Sequence, residues 1–139
     1  MAEGESIPRL VLISGATGAG KTTLAKAVAH EMGLARIASS DTIREVMRAT
    51  IPTPDPALIR SSYGRGDVGD ASSDWEDAAE AVQPGIEAVV ERARQQGVDL
   101  VLEGVHVIPS RRLLNAWESA GGAALGIVVK IEDENTHRE

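Results

Sequence analysis

The sequence lacks cysteine and phenylalanine, and it has few aromatic residues of any kind. There are one Tyr and two Trp among its 139 residues. Without cysteine, the chain can form neither disulfides nor thiolate metal sites. With so few aromatic rings, a hydrophobic core has to be built from aliphatic side chains, and the 42% hydrophobic content of the sequence can supply them.

A basic excess and a long hydrophobic run are also missing. The formal net charge of −7 at pH 7 argues against a general affinity for nucleic acid or an anionic membrane. No apolar stretch approaches the length of a membrane-spanning helix, and the first residues lack the positive charge of a signal peptide. We therefore expect a single cytoplasmic domain over residues 1–139, with a flexible tail at 1–8 and no nucleic-acid or membrane partner.

A glycine-rich stretch follows the first apolar segment. Residues 10–13 fit a buried strand, and apolar residues recur at helical spacing from Leu24 to Ala29. The stretch between them matches the pattern G-x-x-x-x-G-K-[ST], with residues Gly15, Ala16, Thr17, Gly18, Ala19, Gly20, Lys21, Thr22 and Thr23. An ordinary turn with a solvated Lys is the alternative, but a chance match arises at roughly one in tens of thousands of positions.

The residue types in this stretch suit a nucleoside triphosphate. Glycine permits positive φ and a close approach of backbone N–H groups to phosphate, and a helix that begins near Lys21 adds its positive dipole end. We expect Lys21 to contact the β- and γ-phosphates and the Thr22 hydroxyl to hold Mg²⁺. The predicted cofactors are therefore ATP and Mg²⁺.

Strand-like and helix-like segments alternate along the chain. The predicted strands are 9–14, 35–39, 98–102 and 124–131, and the predicted helices are 21–32, 42–49, 75–96 and 110–119. Pro84 is expected to kink or interrupt the third helix. This alternation of helices with fully apolar strands predicts an α/β fold in which helices flank a parallel sheet. Together with the glycine-rich pattern, this arrangement resembles the three-layer fold of P-loop NTPases and kinases.

Three polar stretches are predicted at the carboxyl ends of strands, where such sheets bind their ligands. They are the loop at 15–22, residues 39–44 and residues 103–106. If the site transfers a phosphoryl group, Asp41 could orient or deprotonate the hydroxyl of the acceptor molecule. Alternatively, it could serve only as a helix N-cap, a role that Ser40 could also take. Glu103 directly follows apolar strand residues, so a role in the Mg²⁺ shell is favoured over packing.

Asp99 and Glu103 lie at the two ends of the same predicted strand, 98–102. Asp99 is near its beginning, before Leu100, whereas Glu103 directly follows its last residue. The two acids therefore lie at opposite edges of the sheet. For this reason, Asp99 is given no chemical role.

Further candidates could bind the acceptor. Arg44 could clamp a carboxylate or phosphate, or it could be a surface Arg paired with a nearby Glu. His106 could contact the acceptor, although a lone His is more often structural. Residues 50–72 form a long segment expected to cover the acceptor, with Arg60 and Tyr63 as binding residues or, alternatively, as solvated loop residues.

Taken together, these stretches resemble the 2-phosphoglycerate kinase group of the P-loop kinases. The matching stretches are Ile13 to Thr23, Ser40 to Arg48, Ser61 to Tyr63, Pro84 to Val89 and Leu102 to Pro109. The resemblance covers nearly the whole chain. It implies transfer of the ATP γ-phosphoryl group to a hydroxyl of a small phosphorylated hydroxy acid such as 2-phosphoglycerate. Lys21, Asp41 and Glu103 are the candidate catalytic residues.

The resemblance also implies parts that this sequence does not supply. P-loop kinases normally continue past the fourth strand into an Arg-bearing lid and a further strand. Residues 132–139 look like the opening of the lid helix, and Arg138 is the candidate lid arginine. The chain could be a truncated or degenerate kinase, or one completed by another subunit, and an exposed sheet edge could promote a homodimer.

Two other functions stay open at this point. Another kinase of the same fold could act on a sugar acid, a nucleotide or an antibiotic. A nucleotide-binding module without phosphoryl transfer, serving as a partner or regulatory domain, is the alternative from a different class. A guanine-specific switch is disfavoured because the sequence has no Asn-Lys-x-Asp stretch.

Overall fold

The computed structural model describes residues 7–16, 18–52 and 71–130, and only the backbone of residues 71–75. Within these ranges it contains four strands and four helices. They are β1 (Arg9–Gly15), α1 (Lys21–Met32), β2 (Ile37–Ser39), α2 (Ser40–Thr50), α3 (Ala71–Gln96), β3 (Leu100–Gly104), α4 (Arg111–Ser119) and β4 (Ala123–Val129). Among the described helices, none has the length and apolar character needed to cross a membrane.

All four strands pair in parallel, in the order β2-β3-β1-β4. Leu10 of β1 lies opposite Leu100 on one side and Ala124 on the other. Because the strands share one direction, the carboxyl ends of β1, β2 and β3 meet at the same edge of the sheet. The predicted α/β fold with a parallel sheet flanked by helices is confirmed.

The side chains of β1 alternate between two hydrophobic cores, one on each face of the sheet. Leu10 and Leu12 pack in the core that includes residues of α2, α3 and α4, whereas Val11 and Ile13 pack with residues of α1. All four side chains are at most 1% exposed. Burial on both faces explains why this strand is a continuous apolar run.

Helix α3 continues through Pro84, contrary to the expected interruption. Its buried residues on both sides of the proline keep helical spacing: Ala79, Val82, Ile86, Val90 and Ala93. Proline removes the hydrogen bond to the carbonyl of Glu80, an exposed residue four positions earlier, and its ring crowds that carbonyl. The continuous apolar face of α3 therefore outweighs this local cost.

Strand β3 begins and ends two residues later than the sequence predicts. Gly97 has a φ of 66° at the end of α3, and the Val98 N–H donates to the Ala93 carbonyl at 3.1 Å. This arrangement is a Schellman turn, which keeps Val98 in the helix terminus. At the other end, Glu103 lies opposite Ile13 within the sheet. Since the strand includes Glu103, its pleat fixes the direction of that side chain.

The amino ends of the strands are held by their own contacts. Pro8, expected in a flexible tail, accepts hydrogen bonds at its carbonyl from Ala123 N at 2.9 Å and Trp117 Nε1 at 3.0 Å. Asp99 binds Arg9 twice: its Oδ1 accepts from the backbone N–H at 2.7 Å, and its Oδ2 accepts from the guanidinium at 3.1 Å. These contacts lie at the edge of the sheet opposite the predicted site.

Candidate active site

The glycine-rich loop joins the end of β1 to the first turn of α1. Gly18 and Gly20 have φ values of 83° and 89°, which side chains with a Cβ rarely adopt. Gly20 is also the N-cap of α1, and no side chain caps this helix. By contrast, Ser39 caps α2 and Ser110 caps α4. The uncapped N-terminus of α1 is therefore suited to receive an anion from outside.

Lys21 is the first residue of α1, and it is only 8% exposed. Its Nζ donates to the Ala16 carbonyl at 2.7 Å, so the ammonium group lies against the loop's own backbone. An ammonium group has three N–H donors, and this bond uses one of them. A phosphate bound in the loop could accept from the others.

The side chains of Thr22, in α1, and Glu103, in β3, contact each other. Thr22 Oγ1 donates to Glu103 Oε2 at 3.1 Å, and Glu103 is 7% exposed. Mg²⁺ prefers such oxygen ligands and usually keeps waters and substrate phosphates as its other ligands. The described residues include no cluster of three or more His, Cys, Asp or Glu suited to a metal ion. This pair of oxygens thus fits a Mg²⁺ ion that arrives with a nucleotide.

A cleft of about 350 Å³ lies between the loop, α2 and the end of β3. It is lined by Gly18, Gly20, Lys21, Thr22, Thr23, Asp41, Glu103 and Val105. The structure therefore brings together the three predicted catalytic residues, Lys21, Asp41 and Glu103. A larger groove of about 530 Å³ between β2, α2 and α3 has a mainly apolar lining with no charged residue.

Asp41 is not the N-cap of its helix. The cap is Ser39, whose Oγ accepts from the Asp41 N–H at 3.1 Å, and α2 begins at Ser40. The prediction that Ser40 or Asp41 caps the helix is wrong, because the strand ends at Ser39 and that side chain reaches the first turn. Asp41 lines the cleft, and its side chain does not cap the helix.

Three buried polar atoms beside Asp41 have no hydrogen-bond partner in the part of the chain that the structure describes. They are Ser40 Oγ, Arg44 Nε and His106 Nδ1. Ser40 is fully buried, and His106 is 2% exposed. Burial lowers the pKa of His106 below its ordinary value; the Asp41 carboxylate raises that pKa and the Arg44 charge lowers it. Burial thus favours the neutral form of the imidazole.

Sequence reasoning missed Ser40 as a candidate site residue. Ser40 and Arg44 are four residues apart, so they lie on one face of α2. That spacing could have revealed the pair, but the burial of Ser40 depends on contact with a distant strand. Three residues that the sequence did predict for the site, Thr17, Arg60 and Tyr63, lie outside the described residues.

The predicted covering segment at 50–72 is described only at its ends. Thr50 closes α2, and α3 begins at Ala71, so the last two positions of the segment belong to a helix. Residues 53–70 and the predicted lid opening at 132–139, with Arg138, lie outside the described part.

Comparison with known proteins gives one family and a set of kinase relatives. A family model described as zeta toxin matches residues 2–111. The 2-phosphoglycerate kinase of Methanothermobacter thermautotrophicus is 33% identical over 144 residues, covering 94% of this chain and 45% of that protein. The 2-phosphoglycerate kinase of Thermococcus kodakarensis is 40% identical over 107 residues, covering 71% of this chain and 37% of that protein. The chain thus spans less than half the length of these relatives.

A solved structure from the PezAT chromosomal toxin–antitoxin system of Streptococcus pneumoniae shares the fold. Its TM-score is 0.60 at 18% sequence identity, and the match covers 97% of this chain and 52% of that one. The family match covers most of the residues that build the sheet, the loop and the cleft. The chain therefore belongs to the zeta toxin family of P-loop kinases, and it is similar to the archaeal proteins named 2-phosphoglycerate kinase.

Proposed function

We propose that this chain is the core of an ATP-dependent kinase that phosphorylates a hydroxyl group of a small phosphorylated hydroxy acid such as 2-phosphoglycerate. One observation carries the proposal: Lys21, Asp41 and Glu103, from three different elements, line a single cleft beside an uncapped helix N-terminus. The relatives named 2-phosphoglycerate kinase support this choice of acceptor.

The loop would bind the nucleotide through its backbone and Lys21. Backbone N–H groups between Gly15 and Thr23 would surround the β- and γ-phosphates. Lys21 would exchange its bond to the Ala16 carbonyl for phosphate oxygens. Its charge would then stabilise the transferring phosphoryl group, where the transition state spreads negative charge over the equatorial oxygens.

Asp41 would act on the acceptor. The reaction breaks the bond between the γ-phosphorus and the bridging oxygen and forms a bond from that phosphorus to the acceptor oxygen. The proton of the acceptor hydroxyl would pass to the Asp41 carboxylate. Because Asp41 has no capping bond to keep, its carboxylate can orient this hydroxyl.

Thr22 and Glu103 would hold Mg²⁺ through their oxygens. When bound, Mg²⁺ neutralises charge on the phosphates. The hydrogen bond between the two side chains keeps their oxygens together at the cleft. Burial of Glu103 disfavours an isolated carboxylate charge, so a cation at this position would be well compensated.

Binding of the acceptor's anionic groups is proposed for Arg44, Arg60, Tyr63 and His106. Arg44 lies one turn after Ser40 on α2, and His106 follows the end of β3, so both are near Asp41. Arg60 and Tyr63 belong to the segment expected to cover the acceptor.

A homodimer through a sheet edge is a further proposal. Strand β4 lies at one edge of the described sheet, and it exposes Leu125 and Val128 at 54% and 56%. Apolar side chains on an unpaired edge favour association with another strand. Light scattering after size-exclusion chromatography would test this: a dimer is expected, and a monomer at all concentrations would contradict it.

The kinase proposal is tested by measuring ADP release against a panel of acceptors. The panel contains 2-phosphoglycerate, 3-phosphoglycerate, gluconate and a nucleoside monophosphate. We expect 2-phosphoglycerate to stimulate ADP release most, and Lys21→Ala to abolish both release and tight ATP binding. Stimulation by gluconate or the nucleotide alone would favour another kinase of this fold. ATP binding without stimulation by any acceptor would favour a nucleotide-binding module.

A further inference from the structure

We propose that the groove along the free edge of β2 binds a short segment of another protein, one that combines aliphatic side chains with carboxylates. This edge groove lies between β2, α2 and α3. It shares no lining residue with the candidate active site. The proposal therefore does not depend on the kinase reaction.

The edge groove has two adjoining parts. The part of about 530 Å³ continues into a second part of about 540 Å³ near the beginning of β2, and the two parts share Ile37, Ala38 and Val89. Along α3 the lining extends from Gly85 to Ala93, a distance of about 12 Å at the helical rise. About four residues of extended chain span the same distance. The groove is therefore long enough for a short peptide.

The first part of the edge groove has aliphatic walls, and two of their side chains are exposed. Val46 of α2 is 56% exposed, and Ile37 of β2 is 45% exposed. Gly85 lets α2 approach α3, because a Cβ atom placed on it would lie 2.6 Å from side-chain atoms of Ile43 and Met47. Aliphatic side chains of a partner would remove this apolar surface from water.

The edge of β2 also offers backbone hydrogen bonds. Just before the strand, the Arg36 carbonyl accepts from the Val101 N–H of β3 at 2.9 Å. Because the backbone groups of successive strand residues point to opposite sides, the N–H and C=O of Ile37 point away from β3. Strand β2 is the outermost strand on this side of the described sheet. The backbone of Ile37 can therefore pair with a peptide that enters the groove.

The second part of the edge groove is positively charged. Its lining contains Arg36 and Arg92 and no acid. Arg36 donates to Gln96 Oε1, a neutral amide, at 2.7 Å. Among the described residues, neither arginine forms an ion pair, whereas four others do: Arg9, Arg48, Arg94 and Arg112. In a chain of net charge −7, a groove with two uncompensated arginines favours a partner that carries carboxylates.

These charges also disfavour a second copy of this chain as the occupant. A symmetric dimer through one face brings the same surface of both copies together. The arginines of both copies would then meet, with no acid in the lining to compensate them. An acidic segment of a different protein avoids this repulsion. We therefore expect aliphatic residues of the partner in the first part of the groove and carboxylates in the second.

Fluorescence anisotropy with charge-swapped peptides tests the proposal. The labelled peptides are Leu-Val-Ile-Glu-Glu and Leu-Val-Ile-Lys-Lys, each also made in the reverse order, because either strand direction fits an edge. We expect the acidic peptide to bind the wild-type chain with a Kd of about 10–100 µM. The basic peptide should bind at least about tenfold more weakly.

A double variant, Arg36→Glu with Arg92→Glu, should reverse this preference. The matched control is Arg111→Glu with Lys130→Glu, which makes the same charge change at two exposed positions. Arg111 begins α4, which packs on β4, and Lys130 follows β4 at the opposite edge of the sheet. The control should bind both peptides within about twofold of wild type. Equal changes in the double variant and the control would overturn the proposal.

NMR of methyl groups in the wild-type chain locates the bound peptide without relying on any variant. The methyl signals of Ile37, Val46 and Val89 should shift saturably with the acidic peptide, whereas those of Val105, in the active-site cleft, should not. No binding up to about 1 mM peptide, equal binding of both peptides, or shifts outside the groove would overturn the proposal. Shifts of the groove methyls with protein concentration alone would show that a second copy is the occupant, and the proposal would be wrong.

Discussion

Two acids near the ends of β3 show how the same strand serves the scaffold at one end and the site at the other. Both oxygens of Asp99 accept hydrogen bonds from Arg9, whose charge neutralises the carboxylate. Glu103 is more buried, and among the described residues its carboxylate accepts a hydrogen bond from the Thr22 hydroxyl but forms no ion pair. A buried carboxylate that the protein does not neutralise is costly. This contrast supports the proposal that a cation binds at Glu103.

The largest expected effect concerns the third acid, which also faces the cleft. Asp41→Asn removes the group proposed to accept the hydroxyl proton, so kcat should fall about 10²–10⁴-fold. ATP affinity should stay the same, because the loop and Lys21 are untouched. Stopped-flow nucleotide binding and ADP release would measure the two quantities. Unchanged transfer would remove Asp41 from the mechanism.

Glu103→Gln tests whether Glu103 serves the site rather than the scaffold. Glutamine can still accept from the Thr22 hydroxyl, but it cannot neutralise a cation, so kcat should fall about 10²–10³-fold. The free energy of unfolding should be unchanged or higher, because a buried charge is removed. Activity at several Mg²⁺ concentrations and urea unfolding would measure both effects. A clear loss of stability would mean that Glu103 is a scaffold residue like Asp99.

Asp99→Asn tests whether Asp99 serves the scaffold alone. The substitution weakens the bonds to the Arg9 backbone and guanidinium, so the free energy of unfolding should decrease by about 1–3 kcal/mol. The kcat of the folded protein should not change, because Asp99 lies at the opposite edge of the sheet. The same urea and ADP-release assays apply. A fall in kcat at full folding would show that the two edges are coupled.

The smallest expected effect is a pH dependence of stability from His106. Burial holds the pKa of His106 below its ordinary value of 6.5 in the folded chain. As the pH falls below that value, the unfolded chain binds a proton at this histidine before the folded chain does, so the free energy of unfolding decreases. At higher pH the imidazole is neutral in both states, and this loss of stability is absent. Urea unfolding between about pH 5 and pH 8 would measure the slope. His106→Gln should reduce this slope. An equal slope in the wild type and the variant would show that His106 does not cause the pH dependence.

Local signals were enough to predict the region around the phosphate loop. The sequence predicts a strand at 9–14 and a helix at 21–32, and the structure has Arg9–Gly15 and Lys21–Met32. The apolar run, the glycines and the helical spacing all act within about a dozen residues of each other. Cleft residues Asp41 and Glu103 were also found, because polar residues at the carboxyl ends of parallel strands share an edge.

Contacts between distant elements explain what the sequence did not reveal. Ser40 is buried because Gly104, more than sixty residues later, has no side chain to keep α2 away from β3. The predicted break at Pro84 failed because the apolar face of α3 is continuous across it. Neither the burial of Ser40 nor the continuity of α3 can be predicted from neighbouring residues in the sequence. Both depend on the packing of helices against the sheet.

The indole of Trp117 has a practical consequence. It is 1% exposed, and it donates to the Pro8 carbonyl at the edge of the sheet away from the cleft. Since the sequence contains one other tryptophan, Trp75, a Trp75→Phe chain would carry Trp117 as its single tryptophan, which can be excited selectively over the one tyrosine. Its emission would shift to longer wavelength when the scaffold unfolds and water reaches the ring, without a label at the cleft where ligands would be titrated.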